Sequence, residues 1–163
     1  MKTLVTYASK YGGTEEIAQK ITHVLEEHGF TVDLEPVNQV RSIENYQIVI
    51  LGSGVYIGGW IRSAVKFIKR FSDELENKNF WIFSSGPTGN GDPVDLLDGW
   101  KFPPKIQPDL SKSAPNGTAV FHGVLIPEKL NFLHRWMIKN VETPTGDFRD
   151  WDMITAWAKE IAA

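Results

Sequence analysis

The 163-residue chain is 42% hydrophobic and 23% charged, the balance of one soluble globular domain large enough to bury a core. It contains no cysteine, which excludes disulfides, thiolate-ligated metals, iron–sulfur clusters and thiol chemistry. A net charge of -3 and a pI near 5.8 give no electrostatic reason to expect nucleic acid as a partner. No apolar run approaches the roughly 20 residues of a membrane span, and the strand-like start leaves no room for a signal peptide. A cytoplasmic protein is therefore expected, with any redox role resting on an organic cofactor or a non-thiolate metal.

Leu4 to Ala8 reads as a buried strand, and from Glu15 to His28 the apolar residues Ile17, Ala18, Ile21, Val24 and Leu25 recur at helical spacing. Gly29 stands where a helix C-terminus wants it. Between strand and helix lies Ser9-Lys10-Tyr11-Gly12-Gly13-Thr14. A strand-to-helix loop of this kind aims backbone N–H groups and a helix N-terminus at one spot, which suits a phosphate. Gly12 and Gly13 let the backbone wrap closely, while the Ser9 and Thr14 hydroxyls can donate to phosphate oxygens. The loop has neither the Gly-Lys-Ser/Thr of a nucleotide P-loop nor three spaced dinucleotide-binding glycines. On spacing alone it reads equally well as a plain turn with Thr14 as N-cap.

Thr31 to Leu34 is a second, weaker strand, and Ile48 to Leu51 is a continuous apolar run, as in a central parallel strand covered on both faces. After it comes Gly52-Ser53-Gly54-Val55-Tyr56-Ile57-Gly58-Gly59-Trp60, whose backbone donors and flat apolar Tyr56 meet the needs of a planar ring. Trp60 offers the same flat surface, and the plainer reading of both aromatics is packing beneath the next helix, more readily for Trp60, which is nearer to it. That helix, Arg62 to Phe71, turns Ala64, Val65, Phe67, Ile68 and Phe71 inward. Phe80 to Phe83 is a fourth strand, and Ser84-Ser85-Gly86-Pro87-Thr88-Gly89 leaves it on the same edge. Residues 87–117 are rich in proline and admit only short helical pieces. Ala119 to Phe121 is the fifth strand, and a last helix spans about Trp151 to Ala162, with Asp150 as N-cap.

Strands alternating with helices argue for an α/β domain with a parallel sheet and right-handed crossovers. In the order 2-1-3-4-5, the first and third strands flank the switch point where ligands bind. The whole chain resembles the flavodoxins, Ser9 to Thr14 matching their Ser/Thr-x-Thr-Gly-x-Thr phosphate loop except that Tyr11 replaces a threonine. More closely, it is similar to the flavodoxin-like menaquinone-dependent protoporphyrinogen dehydrogenases over Met1–Ala18, Ile48–Phe71 and Arg135–Ala162. The resemblance implies a single flavodoxin-like domain over 1–163, with a five-stranded doubly wound parallel sheet and three α/β/α layers. It also implies FMN as cofactor, held by Ser9, Lys10, Tyr11, Gly12, Gly13 and Thr14, by Ser53, Gly54, Val55, Tyr56, Ile57 and Gly58, and by Ser84, Ser85, Gly86, Pro87, Thr88 and Gly89. The two functions it leaves open are electron carriage to a redox partner protein and oxidation of a substrate with a quinone acceptor. No general base is apparent, and no catalytic residue is named.

Short flavodoxins pass almost directly from the fifth strand to the last helix, whereas here residues 126–150 intervene. Within them Leu130, Leu133, Trp136, Met137 and Val141 recur at helical spacing, interleaved with Lys129, Arg135 and Lys139. Over 126–141, such a piece could dock on the inner face of a membrane, a quinone-bearing partner or a twin subunit. The plainer reading is a helix packed over the sheet's edge. The Gly52–Trp60 loop holds no carboxylate, so the couple of the fully reduced flavin is expected to lie higher than in acidic flavodoxins. Other chemistries fail on residue type. A phosphate-accepting receiver needs acidic residues where Ala8-Ser9 and Leu51-Gly52-Ser53 stand, Ser53 lacks the Gly-x-Ser-x-Gly frame of a hydrolase, and the four histidines have no metal-ligand spacing.

Overall fold

A computed structural model of Met1–Ala163 shows a parallel sheet between two helical layers. β1 (Lys2–Ala8), β2 (Thr31–Pro36) and β3 (Ile48–Tyr56) are followed by a short β4 (Gly59–Trp60), then β5 (Asn79–Ser85) and β6 (Gly117–Phe121). The main strands run in the order β2-β1-β3-β5-β6, all pairings parallel, and β4 folds back antiparallel on β3. This is the expected doubly wound order, with β1 and β3 adjacent at the switch point.

β3 shows why the central strand reads as one apolar run. Val49 and Leu51 enter the core on one face, and Ile48 and Ile50 enter the core on the other, because successive side chains alternate. One layer is α1 (Gly13–Glu27) with the C-terminal helix α6 (Trp151–Ala162), the other α2 (Arg62–Leu75) with α4 (Gln107–Ser113). α1 ends in a Schellman motif, where Phe30 N–H donates to the Leu25 carbonyl and Gly29 N–H to that of Glu26. Gly29 supplies the required left-handed residue at φ 85°. Asp150 caps α6, its carboxylate accepting from the N–H groups of Asp152 and Met153 at 3.0 and 3.1 Å.

The proline-rich stretch holds only α3 (Pro93–Leu96), a 3-10 turn at Pro104–Ile106 and α4, and Ile106 and Leu110 seal the α2 side of the core. The segment after β6 forms its own stem. β7 (Val124–Leu125) pairs antiparallel with β8 (Gly146–Asp147), and between them lies α5 (Phe132–Asn140). No helix of the chain is long and apolar enough to cross a membrane.

Candidate functional site

The carboxyl ends of β1, β3 and β5 open on a cavity of about 610 Å³. At one end is the turn into α1. Gly12 takes a left-handed φ of 89°, and its N–H donates to Ser9 Oγ at 3.0 Å. The first backbone bond of α1 runs from Glu16 N–H to the Gly12 carbonyl. The N–H groups of Gly13, Thr14 and Glu15 therefore precede the helical ladder and remain available to an anion, with the helix dipole behind them. Thr14 Oγ1 lies 2.7 Å from Ser85 Oγ, tying this turn to the end of β5. Tyr7 donates to Glu15 at 2.9 Å. Burial and that carboxylate push its phenol up to about 12, which keeps it a neutral donor.

The glycine-rich stretch after Leu51 is a strand rather than a free loop. β3 continues to Tyr56 and reverses through Ile57 and Gly58, at φ 50° and 70°, into β4. Two positive φ values are what a two-residue hairpin needs to match strand twist. A β-branched Ile57 in that region is strained, and its side chain is 84% exposed at the cavity mouth. Ser53 and Ser84 stand behind the site. Ser53 Oγ accepts from Ile61 N–H and donates to the Gly54 carbonyl, while Ser84 Oγ accepts from Trp60 Nε1 and donates to the Lys101 carbonyl. Trp60 is buried in packing, as its position before α2 suggests. On the opposite wall Gly86 and Gly123 touch backbone to backbone. A Cβ on Gly123 would fall 2.6 Å from Gly86 Cα.

The stem after β6 is pinned to the phosphate-loop helix by Arg149. Its guanidinium donates to the Gly13 carbonyl at 3.3 Å, to Glu16 at 3.1 Å and to Asp147 at 2.7 Å. The Asp147 bond leads the effects holding Arg149 even more firmly charged than usual. Asp150 caps the last helix as its position suggests, whereas Arg149 docks the insertion on α1.

So anchored, α5 roofs the cavity rather than packing over the sheet's edge. His134, Met137, Ile138 and Val141, spaced i, i+3, i+4, i+7, line it. Trp136 also lines it while remaining 57% exposed, whereas Leu133 and Phe132 are 60% and 84% exposed and do not line it. His134 Nδ1 is hydrogen-bonded to the Tyr11 hydroxyl, and its Nε2 lies 3.2 Å from Lys10 Nζ. The His134 and Tyr56 rings face one another at 6.3 Å and 17°, with Tyr11 edge-on to both. Burial, then the Lys10 ammonium, holds His134 below its ordinary value. Burial raises the Tyr56 phenol against the opposing pull of the Lys10 and Tyr11 N–H groups it faces.

Of the residues singled out in the sequence, Tyr11, Gly13, Thr14, Gly54, Val55, Tyr56, Ile57, Ser85, Gly86 and Thr88 line the cavity. Ser9 and Gly12 shape the turn, and Lys10 reaches the roof through His134. Gly58 completes the hairpin, while Pro87 accepts at its carbonyl from Gly123 N–H. Gly89 takes φ 109° beside Pro144 of the insertion. Sequence reading missed Gly123, Val124 and His134. His134 shares a helical stripe with Met137, Ile138 and Val141, a signal visible only when histidine is counted as an aromatic.

The sequence pattern of the flavodoxin domain matches residues 4–152. The chain is 25% identical to the protoporphyrinogen IX dehydrogenase (quinone) of Escherichia coli K12 over 183 aligned residues, spanning 99% of this chain and 95% of that protein. It is 35% identical over 88 residues to an uncharacterised protein of Methanocaldococcus jannaschii, spanning 52% of this chain and 54% of that one. Among solved structures, the Streptococcus pneumonia TIGR4 flavodoxin superposes with a TM-score of 0.65 at 17% identity, over 99% of this chain and 98% of that one. A flavodoxin from the domain Archaea superposes at 0.62 and 15% identity, over 99% and 96%. These likenesses concern the fold. With the domain pattern covering nearly the whole chain, this protein belongs to the flavodoxin domain family, the flavin-carrying redox proteins.

Proposed function

We propose that this chain binds FMN in the cleft at the ends of β1, β3 and β5 and passes electrons through it. The supporting observation is one cavity with two chemistries at its ends. The phosphate end has the free N–H groups of Gly13, Thr14 and Glu15 with the Ser9 and Thr14 hydroxyls. The ring end is aromatic and apolar, and no Asp or Glu lines it. Both fit FMN, whose phosphate is dianionic and whose ring is flat. When bound, FMN supplies one- and two-electron redox chemistry. The protein's own groups would bind and orient it, with Tyr56, Ser85, Gly86 and Thr88 lining the cavity beneath α5. Titrating the purified protein with FMN tests the assignment. A flavin absorption band that co-migrates with the protein is expected, and a colourless protein that ignores added FMN overturns it.

A second reading, an FMN-dependent oxidoreductase of protoporphyrinogen dehydrogenase type with a quinone acceptor, is favoured by the roof. Leu130, Trp136, Met137, Ile138 and Val141 present an apolar wall suited to a flat apolar substrate beside the ring. The Escherichia coli relative is named for that reaction. Turnover of protoporphyrinogen with a menaquinone analogue identifies the enzyme, and its absence in FMN-loaded protein leaves the carrier. The same α5 leaves Phe132 and Leu133 exposed on a helix that also carries Arg135 and Lys139, a surface suited to an anionic membrane where quinones reside. A second copy of the chain would be the competing occupant.

A further inference from the structure

We propose that Lys10, His134 and Tyr11 form a relay that delivers a proton from solvent to a quinone being reduced in the cavity, with the Tyr11 hydroxyl as its catalytic end. The inference rests on the FMN and quinone-acceptor readings above, and adds to them the residues that carry the proton.

The walls of the cavity offer few protons. No Lys, Arg, Asp or Glu lines it, and its titratable residues are Tyr11, Tyr56 and His134 alone. Reduction of a quinone to its hydroquinone takes two electrons and two protons. The reduced flavin carries the two electrons and one proton, so the second proton has to come from another donor. Of the three titratable residues, Tyr11 and His134 are hydrogen-bonded to each other and, through His134, to Lys10. Lys10 is exposed to solvent.

The outer end fixes the direction of this chain. The Lys10 ammonium has only hydrogens to give, and its Nζ lies 3.2 Å from His134 Nε2. Nε2 is therefore the accepting nitrogen, and the ring proton sits on Nδ1, directed at the Tyr11 oxygen. With its oxygen accepting from Nδ1, Tyr11 keeps its own hydrogen for the cavity it lines. Every donor thus faces inward, an arrangement for delivering protons rather than removing them. Lys10 is the charged group that acts on the imidazole, and the other titratable groups beside it are the Tyr11 and Tyr56 phenols.

In one cycle the quinone gains two electrons and one proton from the reduced cofactor and its second proton from Tyr11. Tyr11 recovers a hydrogen from His134 Nδ1, Nε2 takes one from Lys10, and Lys10 takes one from water. The products are hydroquinone and oxidised cofactor, with the charge of the relay unchanged. The restored ammonium cannot face an Nε2–H, which returns the ring to its starting tautomer.

Reoxidation of the reduced, FMN-loaded protein by a menaquinone analogue and by ferricyanide, followed by stopped flow, tests the relay, because ferricyanide takes electrons and no proton. Tyr11→Phe keeps the ring and loses the donor, and is expected to lower the ratio of quinone to ferricyanide rates about 100-fold or more. His134→Phe, which leaves Tyr11 without resupply, should lower the ratio in the same direction. A second readout needs no cofactor. Nitrogen-15 NMR of the FMN-free protein, with the His134 signals identified by their loss in His134→Phe, should show the ring proton on Nδ1, and Lys10→Met should move it toward Nε2. A Tyr11→Phe protein with the wild-type rate ratio overturns the relay and leaves the quinone reading standing. A wild-type ring proton found on Nε2 also overturns it, by reversing the chain. A wild type reoxidised by ferricyanide but not by the menaquinone analogue removes the quinone reading, and the relay with it.

Discussion

Thr14 Oγ1 and Ser85 Oγ, 71 residues apart in sequence, meet at 2.7 Å and join the phosphate turn to the edge along which the ring would lie. Both residues are buried, at 4% and 2% exposure, so neither hydroxyl has water as a substitute. Thr14→Val keeps the side-chain shape and leaves Ser85 without its partner. A loss of about 1–3 kcal/mol in unfolding free energy is expected, together with weaker FMN binding because a phosphate donor is gone. Urea denaturation with and without FMN measures both. Stability lost equally in the two conditions would show that Thr14 does not touch the cofactor.

Two glycines at the site should respond differently to alanine. At Gly123 the new Cβ would press on Gly86 backbone at 2.6–2.8 Å, and backbone cannot rotate away. Gly123→Ala should cost about 1–3 kcal/mol as overpacking and spread the β5 and β6 ends. Gly12 has open space around its Cα but a φ of 89°, so Gly12→Ala should cost about 1 kcal/mol of backbone strain. Thermal unfolding ranks them, and a reversed order would contradict the packing described.

Closure of α5 should depend on pH. His134 is held below its ordinary value of 6.5 by burial and by Lys10, so the closed roof prefers the neutral ring. The contribution is therefore complete above pH 6.5 and is lost as pH falls through the lowered value, when the proton gained on Nε2 must face the Lys10 ammonium. Hydrogen exchange in 132–141 should accelerate on acidification, and His134→Phe should flatten that dependence.

The absence of lining carboxylates should place the couple of the fully reduced flavin above that of acidic flavodoxins. A carboxylate about 8 Å from the ring, at an effective dielectric near 20, costs the added negative charge about 2 kcal/mol, or about 90 mV. Thr88→Asp should lower that couple by about 50–100 mV. Redox titration of both proteins decides it, and a wild-type value as low as a typical flavodoxin's refutes the explanation.

The outer face of α5 should bind vesicles. Phe132→Ser with Leu133→Ser removes its two most exposed apolar side chains, and co-sedimentation with vesicles containing anionic phospholipid should weaken about tenfold or more. Raised salt should weaken it further through Lys129, Arg135 and Lys139. A concentration-dependent doubling of mass without vesicle binding would assign the face to a second copy instead.

The legible part of this protein was the part encoded locally. Ile48–Leu51 announces a strand covered on both faces, Ile17 to Leu25 a helix against it, and Gly12-Gly13 a turn able to wrap an anion, because period and glycine placement act over a few residues. Asp150 reads as a cap for the same reason. The conversion of Gly52–Trp60 into strand and hairpin was not legible, since Tyr56 and Gly59 pair only once β3 has a sheet to extend. The facing of α5 was likewise decided by tertiary structure. Its sequence is apolar on both sides, and only Arg149 gripping Gly13 and Glu16, with the β7–β8 stem, chooses which side becomes the roof. The sequence by itself thus determined the sheet, its helices and a phosphate turn. The long-range contacts of Arg149 and His134, more than 120 residues from their partners, decided what closes over the cleft, because no local periodicity encodes a contact between such distant residues.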